Sequence, residues 1–295
     1  MAERVEPGAP RQRFPAGHEL ALIALGLGTS IALLVAKRPA AIPILVEVGG
    51  ATLLYAVVLW FGRGKDDRFH HRICFLASMA FVVWFYCAVA HITPGLGTTL
   101  RDRALLAADE ALFGRTPAVR CAWMSAAPVT DILSLCYLTY FVYLTAAAVH
   151  GTVAAPVFRQ RLSACLFTAF AVGYAGYLLV PAVGPASAYP ELFTSPLPRG
   201  ELGRVLMEIV ADGSSRYDTF PSLHVLITCM LLAHDWEAFR RRFWIMLLPS
   251  VGLFLSTLYL RYHYGVDLLA GLLLFLGLWG SWRWRSGLKT RRRQK

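Results

Sequence analysis

The sequence predicts an all-α protein, a polytopic membrane helical bundle of about eight transmembrane helices. Hydrophobic residues make up 57% of the 295 residues and charged residues only 16%, which is more apolar side chain than a soluble domain of this length buries. The apolar residues form runs long enough to cross about 30 Å of hydrocarbon. Arginine and lysine gather in the segments between these runs, as is typical of membrane proteins.

Eight apolar runs, taken in order, account for the predicted helices. Seven are nearly uninterrupted and lie at 20–36, 40–61, 73–92, 132–149, 162–183, 243–260 and 264–282. The first three form an N-terminal group at 19–92. The eighth run, 220–233, is short, and we expect it to extend to Arg216 and Trp236. The second run contains Glu47, which suggests a cavity because a charged residue is costly in an apolar helix.

Five groups of basic residues fall on one side of the membrane if the chain crosses it eight times: Arg11 with Arg13, the group at 63–72, Arg159 with Arg161, the group at 240–242, and the tail. This distribution predicts that both termini are cytoplasmic, with a mobile N-terminus at 1–18 and a basic tail at 286–295. The segment 91–130 is extracytoplasmic in this topology although it carries four arginines. The first run lacks a clear cleavage site, so we interpret it as a retained helix and not as a signal peptide.

The net charge of +11 raises the question of a nucleic-acid partner. Because the basic residues lie beside apolar runs, the charge is better explained by membrane orientation, and no nucleic-acid partner is predicted. The six cysteines form no C-x-x-C pair and mostly fall inside apolar runs, which favours a role in packing.

Residues 93–285 form the predicted core, and two of its segments lie outside the spans. Near 105–113, apolar residues recur at helical spacing beside Asp109 and Glu110, which predicts a helix in the membrane interface, with an ordinary amphipathic loop helix as the alternative. Prolines interrupt 183–216, so this segment is predicted to be an extracytoplasmic loop.

Two polar motifs lie where apolar runs meet loops, F-P-S-L-H at 220–224 and R-Y-H-Y-G-V-D at 261–267. The run after His224 leads inward and the next leads outward, so both histidines return to one face, where a helical hairpin would bring them together. His263 and Asp267 are neighbours on one helix face. The carboxylate can hold one imidazole nitrogen as N–H and leave the other free to attack phosphorus.

This pattern indicates catalytic residues for metal-free phosphoryl transfer through a phosphohistidine. His263 is the candidate nucleophile, Asp267 its orienting partner and His224 the general acid for the leaving alkoxide. The alternative is a His-Asp pair that only ties helices together. No metal-binding or cofactor-binding motif is found, so neither a metal nor a cofactor is predicted.

Three residues are candidates for binding the phosphate of a substrate. Pro221 suggests a helix start, where the free amides of Ser222 and the next two residues could face an anion. Arg261 could clamp phosphate oxygens, with anchoring at the headgroup level as its alternative role. Arg216 is a weaker candidate, as are two further arginines of the same loop, Arg199 and Arg204.

The two motifs resemble the signatures of the phosphatidic-acid phosphatase type 2 superfamily, whose second signature ends in P-S-x-H and whose third contains H-x-x-x-D. Here these are residues 221–224 and 263–267. The forms F-P-S-L-H and Y-L-R-Y-H-Y-x-V-D are similar to the branch that contains fungal inositol phosphorylceramide synthase and its bacterial relatives, as are 111–117 and 137–141. The resemblance covers about 104–271.

The resemblance implies a six-helix catalytic core with its site at the extracytoplasmic surface, and it implies the same roles for His263, Asp267 and His224. A protein of this kind is expected to be an integral protein of the bacterial inner (plasma) membrane, with its active site facing outward.

This sequence departs from the superfamily pattern in the residues that bind phosphate. The first signature, a lysine and an Arg-Pro pair, has no counterpart before Phe220. Ser256 and Thr257 stand where the third signature usually has Ser-Arg. Arg261 is expected to substitute for the missing arginine, as in the synthase-like branch.

The predicted function is that of a lipid-phosphate phosphatase or a phospho-headgroup transferase. Its predicted partners are a lipid phosphate, which is the substrate, and the membrane lipids around the protein. Water as the acceptor would make it a phosphatase, and a second lipid would make it a synthase. A polyprenyl-diphosphate phosphatase is an alternative enzyme, and a non-catalytic scaffold or a transporter is the alternative from another class. The oligomeric state is not predicted.

Overall fold

The computed structural model describes residues 16–62, 68–193 and 195–293, and helices are the only regular secondary structure within these ranges. The predicted all-α class is confirmed. Two short 3₁₀ turns, Cys121–Met124 and Pro190–Leu192, accompany the α-helices. In order, the helices are α1 (Gly17–Ala36), α2 (Ala41–Phe61), α3 (Arg68–Leu96), α4 (Asp102–Phe113), α5 (Pro117–Arg120), α6 (Ala127–Val153), α7 (Pro156–Leu179), α8 (Pro185–Ala188), α9 (Glu201–Gly213), α10 (Leu223–Ala238), α11 (Arg240–Tyr259) and α12 (Gly265–Arg293).

The structure describes part of each predicted terminal segment. Residues 1–15 of the predicted N-terminus lie outside the described residues, whereas α1 already begins at Gly17. At the other end α12 continues to Arg293, so a helix extends into the predicted tail.

Among the described residues, seven helices are long and apolar enough to cross a membrane: α1, α2, α3, α6, α7, α11 and α12. The predicted eighth, 220–233, forms α10, which has 16 residues and is about 24 Å long at 1.5 Å per residue. Its expected extension to Arg216 is wrong, because Ser222 caps the helix at its start. Its extension to Trp236 is confirmed, since α10 continues to Ala238.

The directions of the last three helices follow from contacts at their ends. The amide of Ser222, just before α10, donates to the carbonyl of Asp267 near the start of α12, at 3.0 Å. Glu237 near the end of α10 pairs with Arg283 near the end of α12. Therefore α10 and α12 run in the same direction, α11 returns between them, and both start at one end of the bundle.

The predicted core, 93–285, contains five long helices and several shorter ones. Within that range the described helices of 16 residues or more are α6, α7, α10, α11 and α12. The helix α3, which belongs to the predicted N-terminal group, contacts this core. In α3, Tyr86 hydrogen-bonds to Asp218, and the carbonyl of Val82 accepts the hydroxyl of Tyr174 on α7 at 3.0 Å.

A buried polar network ties α6, α10 and α11 together at the opposite end of the bundle. Asp235 is fully buried. Its carboxylate accepts the hydroxyl of Tyr143 at 2.7 Å and two N–H groups of Arg242 at 2.6 and 2.5 Å. Because a buried carboxylate is stable only when it is paired and hydrogen-bonded, this network fixes the relative positions of the three helices.

Glu47 has a partner, which sequence analysis did not identify. Its carboxylate lies 3.0 Å from Nε2 of His91, and both side chains are about two-fifths exposed. The pair joins α2 to α3 and places two ionisable groups together, as is usual for such groups within spanning helices.

Close approach of α10 and α12 depends on Gly271. A β-carbon at this position would lie 2.5 Å from the carbonyl oxygen of Ser222 and 3.2 Å from the β-carbon of Val225. Small residues allow helix backbones to come this close in membrane proteins. The oxygen in question belongs to the backbone, so no side-chain movement can relieve the contact.

We expect Gly271→Ala to destabilise the protein by about 1–3 kcal/mol, as overpacking of a tight core does. Thermal unfolding of the purified protein in detergent measures this effect. Gly277→Ala is the matched control on the same helix, because a β-carbon there meets nothing within 4 Å. An equal change in the two variants would contradict the assignment of Gly271 as a close-contact position.

Candidate active site

A tight turn between α11 and α12 holds His263. The amides of Tyr262 and His263 both donate to the carbonyl of Thr257, at 3.1 Å each. Between them and α11, Arg261 has a φ of 67°, a left-handed conformation that costs a residue with a β-carbon about 1–2 kcal/mol. The turn brings His263 back under the bundle surface, where it is only 2% exposed.

Asp267 orients the imidazole of His263 from the first turn of α12. Its carboxylate is fully buried. One oxygen, Oδ2, accepts the amide of Tyr264 at 2.8 Å and lies 3.3 Å from Nδ1 of His263. Because an ionised carboxylate only accepts hydrogen bonds, this contact assigns the N–H of His263 to Nδ1 and leaves Nε2 with a free lone pair.

His224 stands in the first turn of α10 between two tyrosines. Its ring centroid lies 4.8 Å from that of Tyr137 and 4.7 Å from that of Tyr140, both on α6. The two tyrosine rings limit the orientations that the imidazole of His224 can adopt, and the imidazole faces the α11–α12 turn.

The two histidines contact each other directly, with 3.2 Å between Nδ1 of His224 and Nε2 of His263. If Nε2 of His263 holds the lone pair, Nδ1 of His224 is the donor in this contact. The structure therefore brings the three predicted catalytic residues into one chain of contacts, from Asp267 through His263 to His224.

The direct contact also limits what the pair can do in this conformation. A phosphorus atom needs about 3–3.5 Å to an attacking atom, and the general acid must reach the leaving oxygen on the far side of that phosphorus. A tetrahedral phosphoryl group cannot fit between nitrogens that are 3.2 Å apart. In-line attack by His263 therefore requires the two imidazoles to separate.

Two buried carboxylates of α4 support the turn that carries His263, and sequence analysis missed this role. Asp109 is fully buried. It accepts the amides of Gly265 and Val266 at 2.9 and 2.8 Å and the hydroxyl of Thr116 at 2.6 Å. It thus caps the start of α12, where amides have no helical acceptor.

Asp102, seven residues earlier on α4, joins the same turn to the segment after α7. It accepts the hydroxyl of Tyr264 at 3.0 Å and the amides of Val183 and Gly184 at distances of 3.0 to 3.2 Å. The predicted helix at 105–113 is therefore part of α4, and Asp109 within it, like Asp102 at the start of α4, faces the protein interior.

Ser222 has a different role from the predicted one. It is fully buried, its hydroxyl accepts the amide of Val225 as a helix cap, and its own amide donates to Asp267. The amide of Ser222 is therefore not available to a phosphate, and this prediction is wrong. Pro221 precedes the cap and is not the first residue of the helix. The amides of Leu223 and His224 remain at the first turn of α10, where a helix has no acceptor for them.

Arg261 lies over the segment that precedes α9. Its guanidinium donates to the carbonyl of Ser195 at 3.0 Å and stacks on the ring of Phe193, 4.3 Å from the ring centroid. Partial burial lowers the pKa of Arg261, and the positive charge of nearby Arg199 lowers it further. The charge and the planar donor groups of its guanidinium suit Arg261 to bind an anion such as phosphate.

The other two predicted arginines are placed differently. Arg216 is exposed, has a φ of 67°, and its guanidinium has no hydrogen bond to a described residue. Arg204 is bound to Glu201 and Glu208 on the outside of α9. No contact with His224 or His263 connects either arginine to the histidine pair within the described ranges.

The segment 183–216 was predicted to be a loop, but it contains α8 and the 13-residue helix α9. Leu202, Val205, Leu206 and Ile209 recur at helical spacing in α9. Asp131 of α6 accepts the amides of Gly200 and Gly203 at 3.0 Å each and holds the start of this helix. The prolines lie before α9, so they do not interrupt it.

No group of three or more His, Cys, Asp or Glu side chains is placed to hold a metal ion in the part of the chain that the structure describes. A family model described as the PAP2 superfamily matches residues 103–280. No curated protein and no solved structure shows significant similarity to the chain.

Proposed function

This chain belongs to the PAP2 superfamily, and from that premise we propose that it transfers a phosphoryl or phospho-headgroup from a lipid phosphate ester through a covalent bond to His263. Membership suggests phosphatase-type activity on phosphate esters. The observation that carries the more specific proposal is the contact chain Asp267–His263–His224, with 3.3 and 3.2 Å between successive groups.

In the first half of the reaction, the lone pair on Nε2 of His263 attacks phosphorus and the bond to the leaving alkoxide breaks. His224 enters this step as an imidazolium, gives its Nδ1 proton to that alkoxide and becomes neutral. Asp267 holds Nδ1–H of His263 and stabilises the positive charge that grows on the imidazole, as the aspartate of a hydrolase triad does. The amides of the first turn of α10 and the guanidinium of Arg261 are the groups that would bind the phosphate oxygens.

In the second half, His224 takes a proton from the incoming acceptor, whose oxygen forms a bond to phosphorus as the bond to His263 breaks. Both halves use the same groups in reverse order. Water as the acceptor releases phosphate or a phospho-headgroup, and an alcohol as the acceptor gives a new ester.

The proposal includes a membrane location with the site at the extracytoplasmic face and both termini cytoplasmic. Seven helices that are long and apolar enough to span a membrane support an integral membrane protein. Both motifs lie at one end of the bundle, which agrees with a site at one membrane surface. The bacterial inner membrane and the synthase-like branch remain predictions, as does the alternative of a polyprenyl-diphosphate phosphatase.

A lipid screen tests the proposed function. Purified protein in detergent is given phosphatidic acid, diacyl phospholipids and polyprenyl diphosphate, and both free phosphate and new lipid are followed. We expect turnover of at least one donor and the same rate after treatment with EDTA, because histidine, not a metal, attacks phosphorus. Inactivity on every donor would favour a scaffold or transporter, and loss of activity in EDTA would contradict the metal-free mechanism.

The role of Arg261 in binding phosphate predicts a specific defect for Arg261→Gly. Glycine tolerates the positive φ of this position, so the variant removes the guanidinium with little change to the backbone. A hydrogen bond to a charged group contributes about 1.5–3 kcal/mol. We therefore expect KM for the lipid donor to rise about tenfold or more. Arg204→Ala is the matched control, and an unchanged KM in Arg261→Gly would exclude the phosphate contact.

A further inference from the structure

Two tyrosines of α6 enclose the imidazole of His224, and the reaction described above gives them no role. The ring centroids of Tyr137 and Tyr140 lie 4.8 and 4.7 Å from that of His224. Both tyrosines are buried, with 6% and 8% of their surface exposed. They stand one helical turn apart on α6, so both rings reach the imidazole from the same helix. Tyr137 and Tyr140 are called the tyrosine pair below.

His224 lacks the carboxylate partner that His263 has in Asp267. In the part of the chain that the structure describes, its one hydrogen-bond contact is with Nε2 of His263, at 3.2 Å. Within the same ranges, no aspartate or glutamate side chain forms an ion pair with His224, whereas Oδ2 of Asp267 lies 3.3 Å from Nδ1 of His263. The two histidines therefore differ in the groups that can stabilise a positive charge on their rings.

The proposed reaction nevertheless needs a positive charge on His224. As the general acid it enters the first step as an imidazolium and gives its proton to the leaving alkoxide. The lone pair of His263 can stabilise that imidazolium only while the two rings touch, and in-line attack requires them to separate. A partly buried cation that has lost its partner is costly. Another group close to His224 is therefore needed at the moment of attack.

The other elements around the first turn of α10 supply no such group through a contact among the described residues. Helix α7 meets this turn through Gly173 and Gly176, and α12 meets it through Gly271. The carboxylate of Asp218, in the segment before α10, accepts a hydroxyl of α3 and forms no hydrogen bond or ion pair with His224 in the described ranges. The tyrosine pair is the remaining contact of the imidazole.

An aromatic ring attracts a cation that lies within about 6 Å of its centroid, because the face of the ring carries negative charge. Both tyrosine centroids lie within this distance of the His224 ring. A neutral imidazole gains no such attraction. We infer that Tyr137 and Tyr140 are positioning residues that stabilise the imidazolium form of His224 through cation–π interactions. This inference rests on the proposed function, and the tyrosines act through His224 and not on the substrate.

The pH dependence of kcat/KM for one lipid donor tests this inference. Wild type should lose activity at high pH as His224 loses its proton. Tyr140 is the position to vary, because Tyr137 also packs on Tyr262 of the α11–α12 turn, with 5.3 Å between ring centroids. In Tyr140→Leu the imidazolium is less stable, so the loss should occur about 0.5–1.5 pH units lower. Tyr140→Phe keeps an aromatic face and should keep the wild-type profile.

Phe141→Leu is the matched control for Tyr140→Leu. Phe141 is the next residue of α6 and contacts the tyrosine rings, but its ring has no contact with His224 within the described residues. The same substitution of an aromatic ring by leucine should therefore leave the high-pH loss where wild type has it. An equal shift in the Phe141 and Tyr140 variants would contradict the inference.

The leaving group separates an effect on the general acid from damage to the site. The second substrate is the p-nitrophenyl ester of the group that the lipid donor transfers, whose phenolate leaves without needing a proton. Above the pH at which Tyr140→Leu loses activity, this variant should turn over the lipid donor about tenfold more slowly than wild type. Its turnover of the p-nitrophenyl ester should stay within about twofold. An equal loss on both substrates would show a structural role only.

Fluorinated rings at position 140 test the same point without a change of shape, and they serve if Tyr140→Leu does not fold. Phenylalanine and its mono-, di- and trifluorinated forms are incorporated there, and each fluorine weakens the negative face of the ring. We expect the high-pH loss to move to lower pH with each fluorine. An unchanged pH profile across this series would overturn the inference. Failure of the proposed function has another signature, because wild type would then consume no lipid donor at all.

Discussion

Replacing His263 with alanine should lower turnover of the lipid donor by about 10⁴-fold or more, because the variant lacks the atom that bonds to phosphorus. The fold should survive the substitution. The histidine contributes contacts to His224 and Asp267, whereas the turn is held by its backbone amides, which donate to the carbonyl of Thr257 and to the carboxylate of Asp109. Initial rates on the best donor from the lipid screen, together with the melting temperature in detergent, measure both quantities.

His91→Gln is the matched control for this substitution. His91 lies on α3 with Nε2 3.0 Å from the carboxylate of Glu47, and glutamine leaves an uncharged polar side chain beside that carboxylate. The control should retain wild-type turnover. If His263→Ala kept turnover within about tenfold of wild type, the nucleophile would have to be another group, since loss of a nucleophile costs several orders of magnitude.

Replacing Asp109 with alanine should have the largest effect on stability. The variant leaves the amides of Gly265 and Val266 and the hydroxyl of Thr116 without an acceptor, and each such loss in a buried site costs about 1–3 kcal/mol. We expect a total loss of roughly 3 kcal/mol or more, and a fall in turnover because the turn that carries His263 loses its support. Thermal unfolding in detergent and donor turnover measure the two effects.

Glu110→Ala on the same helix is the matched control, because Glu110 is exposed. It should change stability by less than about 0.5 kcal/mol, as surface substitutions usually do. A melting temperature for Asp109→Ala equal to that of Glu110→Ala would show that α4 does not stabilise the turn.

The positions of the helices and of the histidine pair follow from local features of the sequence. Apolar runs of about 20 residues specify spanning helices wherever they occur, and the direction of each run determines the membrane surface at which its ends lie. His224 and His263 stand at the starts of two runs that enter the bundle from the same end. Their proximity was therefore predictable without knowledge of side-chain packing, although the direct contact between the two rings was not.

The supporting carboxylates were not predictable, because their partners are distant in sequence. Asp109 and Asp102 lie about 160 residues before the α11–α12 turn that they support. Their spacing of seven residues puts them on one face of α4, which was the signal available. The apolar residues around them predict that a helix forms here, but they do not identify the distant partners of the two carboxylates.

The errors at Ser222 and in the segment 183–216 share a cause. A serine beside a proline at a helix start fits both an anion-binding turn and a helix cap, and only the position of the first helical residue distinguishes them. In 183–216 the prolines predict a loop for the whole segment, whereas α9 begins after the last of them. In both cases the amino-acid composition near the helix did not show at which residue the helix, α10 or α9, begins.

Detection of the covalent intermediate tests the central claim most directly. Protein with His224→Asn, in which breakdown of the intermediate should be slow, is mixed with a donor that is radiolabelled at phosphorus. The reaction is stopped in alkali, where a phosphorus–nitrogen bond to histidine is stable, and the labelled peptide is sequenced by mass spectrometry. The account predicts label on His263 in this variant, and no label in the double variant that carries both His224→Asn and His263→Ala. Label on any other residue, or turnover that persists in His263→Ala, would contradict it.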